Sequence, residues 1–189
     1  MSRTSVQLRE ACLEDAAKLA ELWIDVTRRE PNDKMVADME LVIDRAMGES
    51  DDRLGIAESE GEVAGAVYLR ATTISPVHLE PVVHTLAPHV FPQFRRRGVG
   101  HALIEAGVEF AEERGISHVA GASLSSSREA HRFLARLGMG PQAVFRIAAT
   151  HVVRAKLTPR RPVRVQPNRQ PLGQVLAQRR SLRRRREAV

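Results

Sequence analysis

The 189-residue sequence predicts a mixed α/β fold of the α+β kind, with helices and strands following one another irregularly in a single chain. Three observations predict it. Apolar residues recur at helical spacing within 14–29, 33–47 and 99–114. Two short apolar runs flank the turn-forming Ser59-Glu60-Gly61-Glu62, and a third run, Val82 to Val90, leads through a basic, glycine-containing loop into a helix.

Each element follows from local pattern. Val6-Gln7-Leu8-Arg9 alternates as a first strand, and Glu14 to Arg29 carries Ala17, Leu19, Leu22, Trp23 and Val26 on one helical face until Glu30-Pro31-Asn32-Asp33 breaks it. A second helix, Asp33 to Met47, presents Val36, Met39, Val42, Ile43 and Met47 and stops at Gly48. Leu54 to Glu58 and Val63 to Thr72 form an antiparallel hairpin, 74–81 reads as a loop, and Val82 to Val90 is the next strand. Pro88 cannot donate to a ladder, so it marks either a bulge or an early strand end.

The helix from Val99 buries Leu103, Ala106 and Phe110 and ends at Gly115, where a left-handed cap belongs. Ile116 to Ala122 is a short buried strand. Ser126-Ser127-Arg128-Glu129 fits a capping box, after which Ala130, Phe133, Leu134 and Leu137 share a face and Gly138 is the stop. Val144 to Ala149 and His151 to Leu157 read as one bent strand or two short ones.

Charge divides the chain. Residues 159–189 hold ten arginines, one glutamate and no lysine, a net +9, while the remainder carries −3. The organisation expected is a domain over 1–158 and an arginine-rich, disordered tail over 159–189, because the tail has too few apolar residues to offset its ordering entropy. The tail offers a weak contact for nucleic acid or ribosome, made through phosphates because it has no aromatic residue to stack on a base. A single cysteine, Cys12, excludes an internal disulfide and a multi-cysteine metal site. With no apolar leader and no membrane-length run, a cytoplasmic, non-membrane protein is expected, as monomer or homodimer.

The residues that carry chemistry lie at the end of the Val82–Val90 strand, in Val90-Phe91-Pro92-Gln93-Phe94-Arg95-Arg96-Arg97-Gly98-Val99-Gly100-His101. The first turn of a helix leaves N–H groups without carbonyl partners and gathers partial positive charge, so an anion satisfies both. Glycines at 98 and 100 open the backbone to a ligand, while Arg95, Arg96 and Arg97 supply forked donors suited to phosphate. A Walker loop would need Lys and then Ser or Thr where His101-Ala102 stands. A dinucleotide fingerprint would need a small residue where Leu103 stands.

Arg-x-x-Gly-x-Gly after Val-x-Pro resembles the acetyl-CoA loop of the GNAT family of N-acetyltransferases. The frame Ser127-Arg128-Glu129-Ala130-His131-Arg132-Phe133-Leu134, closing on Gly138-Met139, is similar to that family's second motif, and together the two cover about residues 82–140. The resemblance implies a central, largely antiparallel mixed sheet flanked by helices, with a V-shaped splay between two parallel strands. It implies acetyl-CoA as co-substrate and direct attack by a primary amine acceptor, on a small molecule or a protein. Val90, Arg95, Arg96, Arg97, Gly98, Val99, Gly100, His101 and Ser127 are then the expected cofactor-binding residues.

For the general base, His84 stands where many relatives carry a glutamate, and imidazole titrates near neutral pH; Glu80 and His89 are the alternatives. The oxyanion donor would be a main-chain N–H near His89 or Val90. Relatives usually place a tyrosine at the position of Leu134 to protonate the departing sulfur, and the only tyrosine here, Tyr68, belongs to the hairpin. Histidines 101, 118 and 131 lack metal spacing with acidic partners on one element, so no metal is expected. A slightly acidic body favours cationic acceptors such as a polyamine, an aminoglycoside or a protein amino terminus. The alternative function is a non-catalytic CoA-binding sensor or adaptor with a nucleic-acid-binding tail.

Overall fold

A computed structural model describes residues 6–24, 32–124 and 127–157. The chain divides into two units, Met1–Gln142 and Ala143–Val189. In the first unit, β1 (Val6–Glu10) is followed by a 3-10 turn at Leu13–Asp15, α1 (Ala16–Leu22) and α2 (Asp33–Gly48). Next come β2 (Asp52–Ser59), β3 (Glu62–Ser75) and β4 (His78–Val90), then α3 (Val99–Glu112), β5 (Val119–Gly121) and α4 (Arg128–Arg136). The five strands form one sheet in chain order, antiparallel throughout except for the parallel pair β4 and β5.

Local chemistry sets the helix starts. The Asn32 side chain accepts from the Met35 amide at 2.9 Å, and the Ser127 hydroxyl accepts from the Ala130 amide at 3.2 Å. The residue at the third helical position of α4 is therefore Ala130, so Glu129 stands one place too early to complete the capping box expected of Ser126 and Glu129. Gly115 and Gly138, at φ 65° and 80°, supply the left-handed stops after α3 and α4.

Packing around the sheet is tight. Leu19 of α1 and Ile43 of α2 are wholly buried, as are Leu103 and Phe110 of α3. Each such side chain contributes about 1.5–3 kcal/mol. Gly107 lets α3 approach the sheet, since a Cβ there would fall 2.5 Å from Thr85 Cγ2 and 3.4 Å from Leu69 Cδ2. Thr85 therefore faces α3, and strand alternation turns His84 to the other side.

Three further expectations in this unit are corrected. The span 74–81 is not a loop: β3 runs to Ser75 and β4 begins at His78, with Ser75 opposite His78, so only Pro76 and Val77 turn. Its apolar residues Ile74 and Leu79 are exposed on a projecting two-stranded arm, where cross-strand bonds rather than burial hold the backbone. The first helix opens as a 3-10 turn and is α-helical only from Ala16, and residues 25–31 lie outside the description. The strand expected over 116–122 is regular only over Val119–Gly121.

In the second unit, 144–149 has no regular structure and Thr150–Leu157 is a helix, α5, not a strand. The apolar pattern that suggested β-structure satisfies its backbone locally instead, with the Val152 and Val153 amides bonding the Ala149 carbonyl at 3.0 and 3.2 Å. The tail from 158 onward lies outside the described residues.

Candidate active site

The site is built where two parallel strands part. β4 and β5 pair over Val83 with Val119, His84 with Ala120 and Thr85 with Gly121. Beyond that row β4 continues to Val90 while the other chain departs through Ala122, whose amide makes a last bond to the Thr85 carbonyl at 3.3 Å. Ala66 pairs with His89 and Tyr68 with Leu86, so Ala87 and Pro88 together oppose Val67 alone. This is a β-bulge, and it absorbs a proline that has no amide to offer the ladder. Ala87 has φ 47°, and its carbonyl accepts from Trp23 Nε1 at 2.9 Å.

The strand then runs into the basic loop. Buried Phe91 and Phe94 anchor a 3-10 turn at Pro92–Phe94. Arg96 has φ 63° and Gly98 φ 89°, and the left-handed region is uncommon for an arginine. Such strain is concentrated at ligand clamps. Val99 is buried and draws the start of α3 onto the sheet. The His101 and Ala102 amides bond the Gly98 carbonyl at 3.0 and 3.1 Å, whereas no side chain among the described residues caps the helix. No carbonyl within the helix can reach the Val99 and Gly100 amides, which lie at its electropositive end.

These elements border a groove of about 1120 Å³, large enough for a nucleotide-bearing carrier. Of the expected cofactor-binding residues, Val90, Arg95, Arg96, Gly98, Gly100, His101 and Ser127 line it. Arg97 does not; it lies over Phe94, 5.6 Å from the ring centroid, and reaches Glu60 at 3.5 Å. The Val99 side chain is in the core. Gly100 is informative because a Cβ there would meet only Phe133 Cζ, at an ordinary 3.8 Å. Internal packing does not require glycine at this position, and glycine within a helix costs about 0.5–1 kcal/mol relative to alanine. A ligand backed against the helix start does require it, so the cradle fits a diphosphate.

The candidate bases are spread along β4. His89 lines the groove at the bulge. His84 lies between Arg70 of β3 and Ala120 of β5, and partial burial lowers its pKa. Glu80 is near the far end of the strand, about 20 Å from the bulge at strand rise. Its carboxylate oxygens stand 3.3 Å from His78 Nε2 and 3.2 Å from His118 Nδ1. Tyr68 is occupied elsewhere: its hydroxyl donates to Asp52 at 2.6 Å, and burial followed by that carboxylate raises its pKa. Leu134 lines the groove and is buried, an apolar side chain with no proton to give. Cys12 is not activated, since its bond to the Asp15 carboxylate, 3.3 Å away, raises the thiol pKa.

Sequence reasoning missed Arg128, Arg132 and Arg136, which line the same groove from α4. Their spacing of four residues was the available signal, for it places them on one helical flank. Among the described residues, no group of three or more His, Cys, Asp or Glu is placed to hold a metal, and no helix is long and apolar enough to cross a membrane.

Comparison with known proteins agrees with this geometry. The model of the acetyltransferase (GNAT) family matches residues 16–139. No curated protein matches the chain. Among solved structures, a transcriptional regulator from Bacillus halodurans C-125 superposes with a TM-score of 0.68 at 17% identity, covering 77% of this chain and 99% of its own. An aminoglycoside N-acetyltransferase in complex with CoA gives 0.63 at 19% identity, over 77% of this chain and 95% of its own. Glucosamine-6-phosphate N-acetyltransferase from Arabidopsis thaliana gives 0.63 at 15% identity, over 77% and 99%. The structural likenesses carry the fold, and the family match, which spans well over half of the sequence, carries the assignment: the chain belongs to the GNAT family of acetyltransferases.

Proposed function

We propose that the protein is an acetyl-CoA-dependent N-acetyltransferase acting on a primary amine. One observation carries the reading: the groove at the strand splay backs onto a helix start whose Gly100 is small for no reason of internal packing. Acetyl-CoA, when bound, supplies the acetyl group as an activated thioester. Arg95, Arg96 and the main chain at Gly98 to His101 hold its diphosphate, Ser127 borders the same groove, and Val90 lies beside its arm.

His84 is the proposed base, with His89 and Glu80 as alternatives. Its lowered pKa keeps the ring neutral at pH 7 and able to take the proton of an incoming ammonium. It also faces away from α3, so an acceptor reaches it from the side of the sheet opposite that helix. A main-chain N–H of His89 or Val90 stabilises the negative charge that grows on the carbonyl oxygen. Leu134 leaves the sulfur without a side-chain acid, which an alkyl thiol of pKa about 8.5 tolerates by leaving as thiolate.

The test has two parts. At a hundredfold excess over its dissociation constant, acetyl-CoA is expected to stabilise the full chain by about 2.7 kcal/mol in thermal unfolding. Thiol release is then expected with at least one of a polyamine, an aminoglycoside or a peptide amino terminus. Absence of any stabilisation overturns the reading. Stabilisation with silence across all amines turns it into a CoA-binding sensor.

A further inference from the structure

We infer that Arg128, Arg132 and Arg136, on successive turns of α4, hold the ribose 3′-phosphate of the CoA nucleotide and make the protein discriminate against carriers that lack it. The inference rests on the acetyl-CoA reading of the groove and goes beyond it.

Charge balance is the starting point. Arg95, Arg96, Arg128, Arg132 and Arg136 all line the groove, with Glu129 as its sole carboxylate among the described residues. Elsewhere in the first unit five described arginines sit with acids: Arg9 with Asp15, Arg53 and Arg114 with Glu113, Arg70 with Asp52 and Arg97 with Glu60. Among the described residues, no groove arginine has an ion-pair partner. Like charges four apart on a helix also repel one another. The groove therefore carries more cationic charge than the protein itself neutralises.

A diphosphate does not account for all five. Its two phosphoryl groups are met by Arg95, Arg96 and the start of α3. On α4, positions four apart are displaced by about 6 Å, so the stripe from Arg128 to Arg136 extends about 12 Å. It lies on the flank next to Phe133, whose ring packs edge-on to His101 at 5.0 Å, so that flank is turned toward the loop. An anion bound there must be a separate group attached to the same ligand. CoA carries such a group, a phosphomonoester of about −1.5 to −2 charge, which the planar guanidinium fork suits.

Calorimetric titration of the full chain with CoA and with 3′-dephospho-CoA tests this directly. CoA is expected to bind about ten- to a hundredfold tighter, the range of one or two charge-assisted bonds. In Arg128→Gln/Arg132→Gln, affinity for CoA should fall toward that for the dephospho form, which itself should change little. These side chains are exposed, so the fold is not at risk. Equal binding of both ligands by the unaltered protein, or an equal loss for both in the double variant, overturns the inference and leaves the groove reading in place. Binding of neither ligand overturns both.

Discussion

Trp23 and Ala87 join the first helical segment to the strand bulge: the indole Nε1 donates to the Ala87 carbonyl at 2.9 Å, across 64 residues of sequence. The acceptor is the residue whose φ of 47° makes the bulge, and the donor ring is 5% exposed. Trp23→Phe keeps an aromatic ring but takes the indole donor from a partly buried carbonyl, an expected loss of about 0.5–1.5 kcal/mol in urea denaturation. The CoA dissociation constant should rise with it. Unchanged stability would show that the bulge does not depend on this bond.

Gly100 separates folding from binding. Its Cβ would sit 3.8 Å from Phe133, so Gly100→Ala is expected to preserve stability or raise it by up to about 1 kcal/mol, while CoA affinity falls. Gly100→Asp places a carboxylate at a helix N-terminus, which the helix favours and a diphosphate does not. Circular dichroism melting beside calorimetry checks both. A Gly100→Asp protein that binds CoA normally would remove the basis of the functional reading.

Gly107 reverses the usual helix rule. Glycine to alanine in a helix normally stabilises, yet here the new methyl would lie 2.5 Å from Thr85 Cγ2. Overpacking between α3 and β4 is expected to cost about 1–3 kcal/mol in Gly107→Ala, read from the urea midpoint. Combining it with Thr85→Ser, which removes that methyl, should recover part of the loss.

Acid should destabilise the protein through two carboxylates. Arg9 bonds both Asp15 oxygens, at 2.7 and 2.8 Å, and together with the Cys12 amide at 2.9 Å holds the Asp15 pKa at about 2. The two bonds from Arg70, both 2.6 Å, lower that of Asp52. A folded-state pKa below the unfolded value of about 3.9 means that the contribution is complete above that value. For Asp15 it is lost as pH falls from about 4 toward 2. The melting temperature should be flat from pH 5 to 7 as far as these groups are concerned, then drop. Asp15→Asn should cost about 1–2 kcal/mol at pH 7, discounted for the partly exposed Arg9, and soften the acid limb.

His84 gives the activity its own pH signature. Because burial lowers its pKa below the ordinary value of about 6.5, kcat/KM should show an acid limb, falling only below that pH. His84→Gln should lower kcat by about 100-fold or more and abolish the limb, with CoA affinity retained. If His89→Gln has that effect instead, His89 is the base. The pH profiles of the two variants decide between them.

Much of the molecule was legible in the sequence wherever the signal is local. The helix expected over Asp33 to Met47 is observed as Asp33–Gly48, and the hairpin turn lies at Glu60 and Gly61. Residue type and spacing suffice there, because a cap, a turn and an apolar face depend on neighbours a few residues apart. The arm at 74–81 was missed because pairing Ser75 with His78 is a property of two strands together. The exposed apolar run after 143 was misread for the same reason, since β-patterned residues make a strand only with a partner.

The sequence by itself determined the order of elements as far as Arg136, the left-handed glycines and the basic loop poised at a helix start. Only tertiary structure decided that Arg128, Arg132 and Arg136 share a groove with Arg95 and Arg96, that Arg97 turns aside to Glu60, and that Tyr68 is tied to Asp52. Backbone spacing carries periodicity along the chain. Which charges meet across thirty or more residues is set by how far α3 sinks onto the sheet at Gly107 and where β4 parts from β5, and those distances exist only once the core has packed.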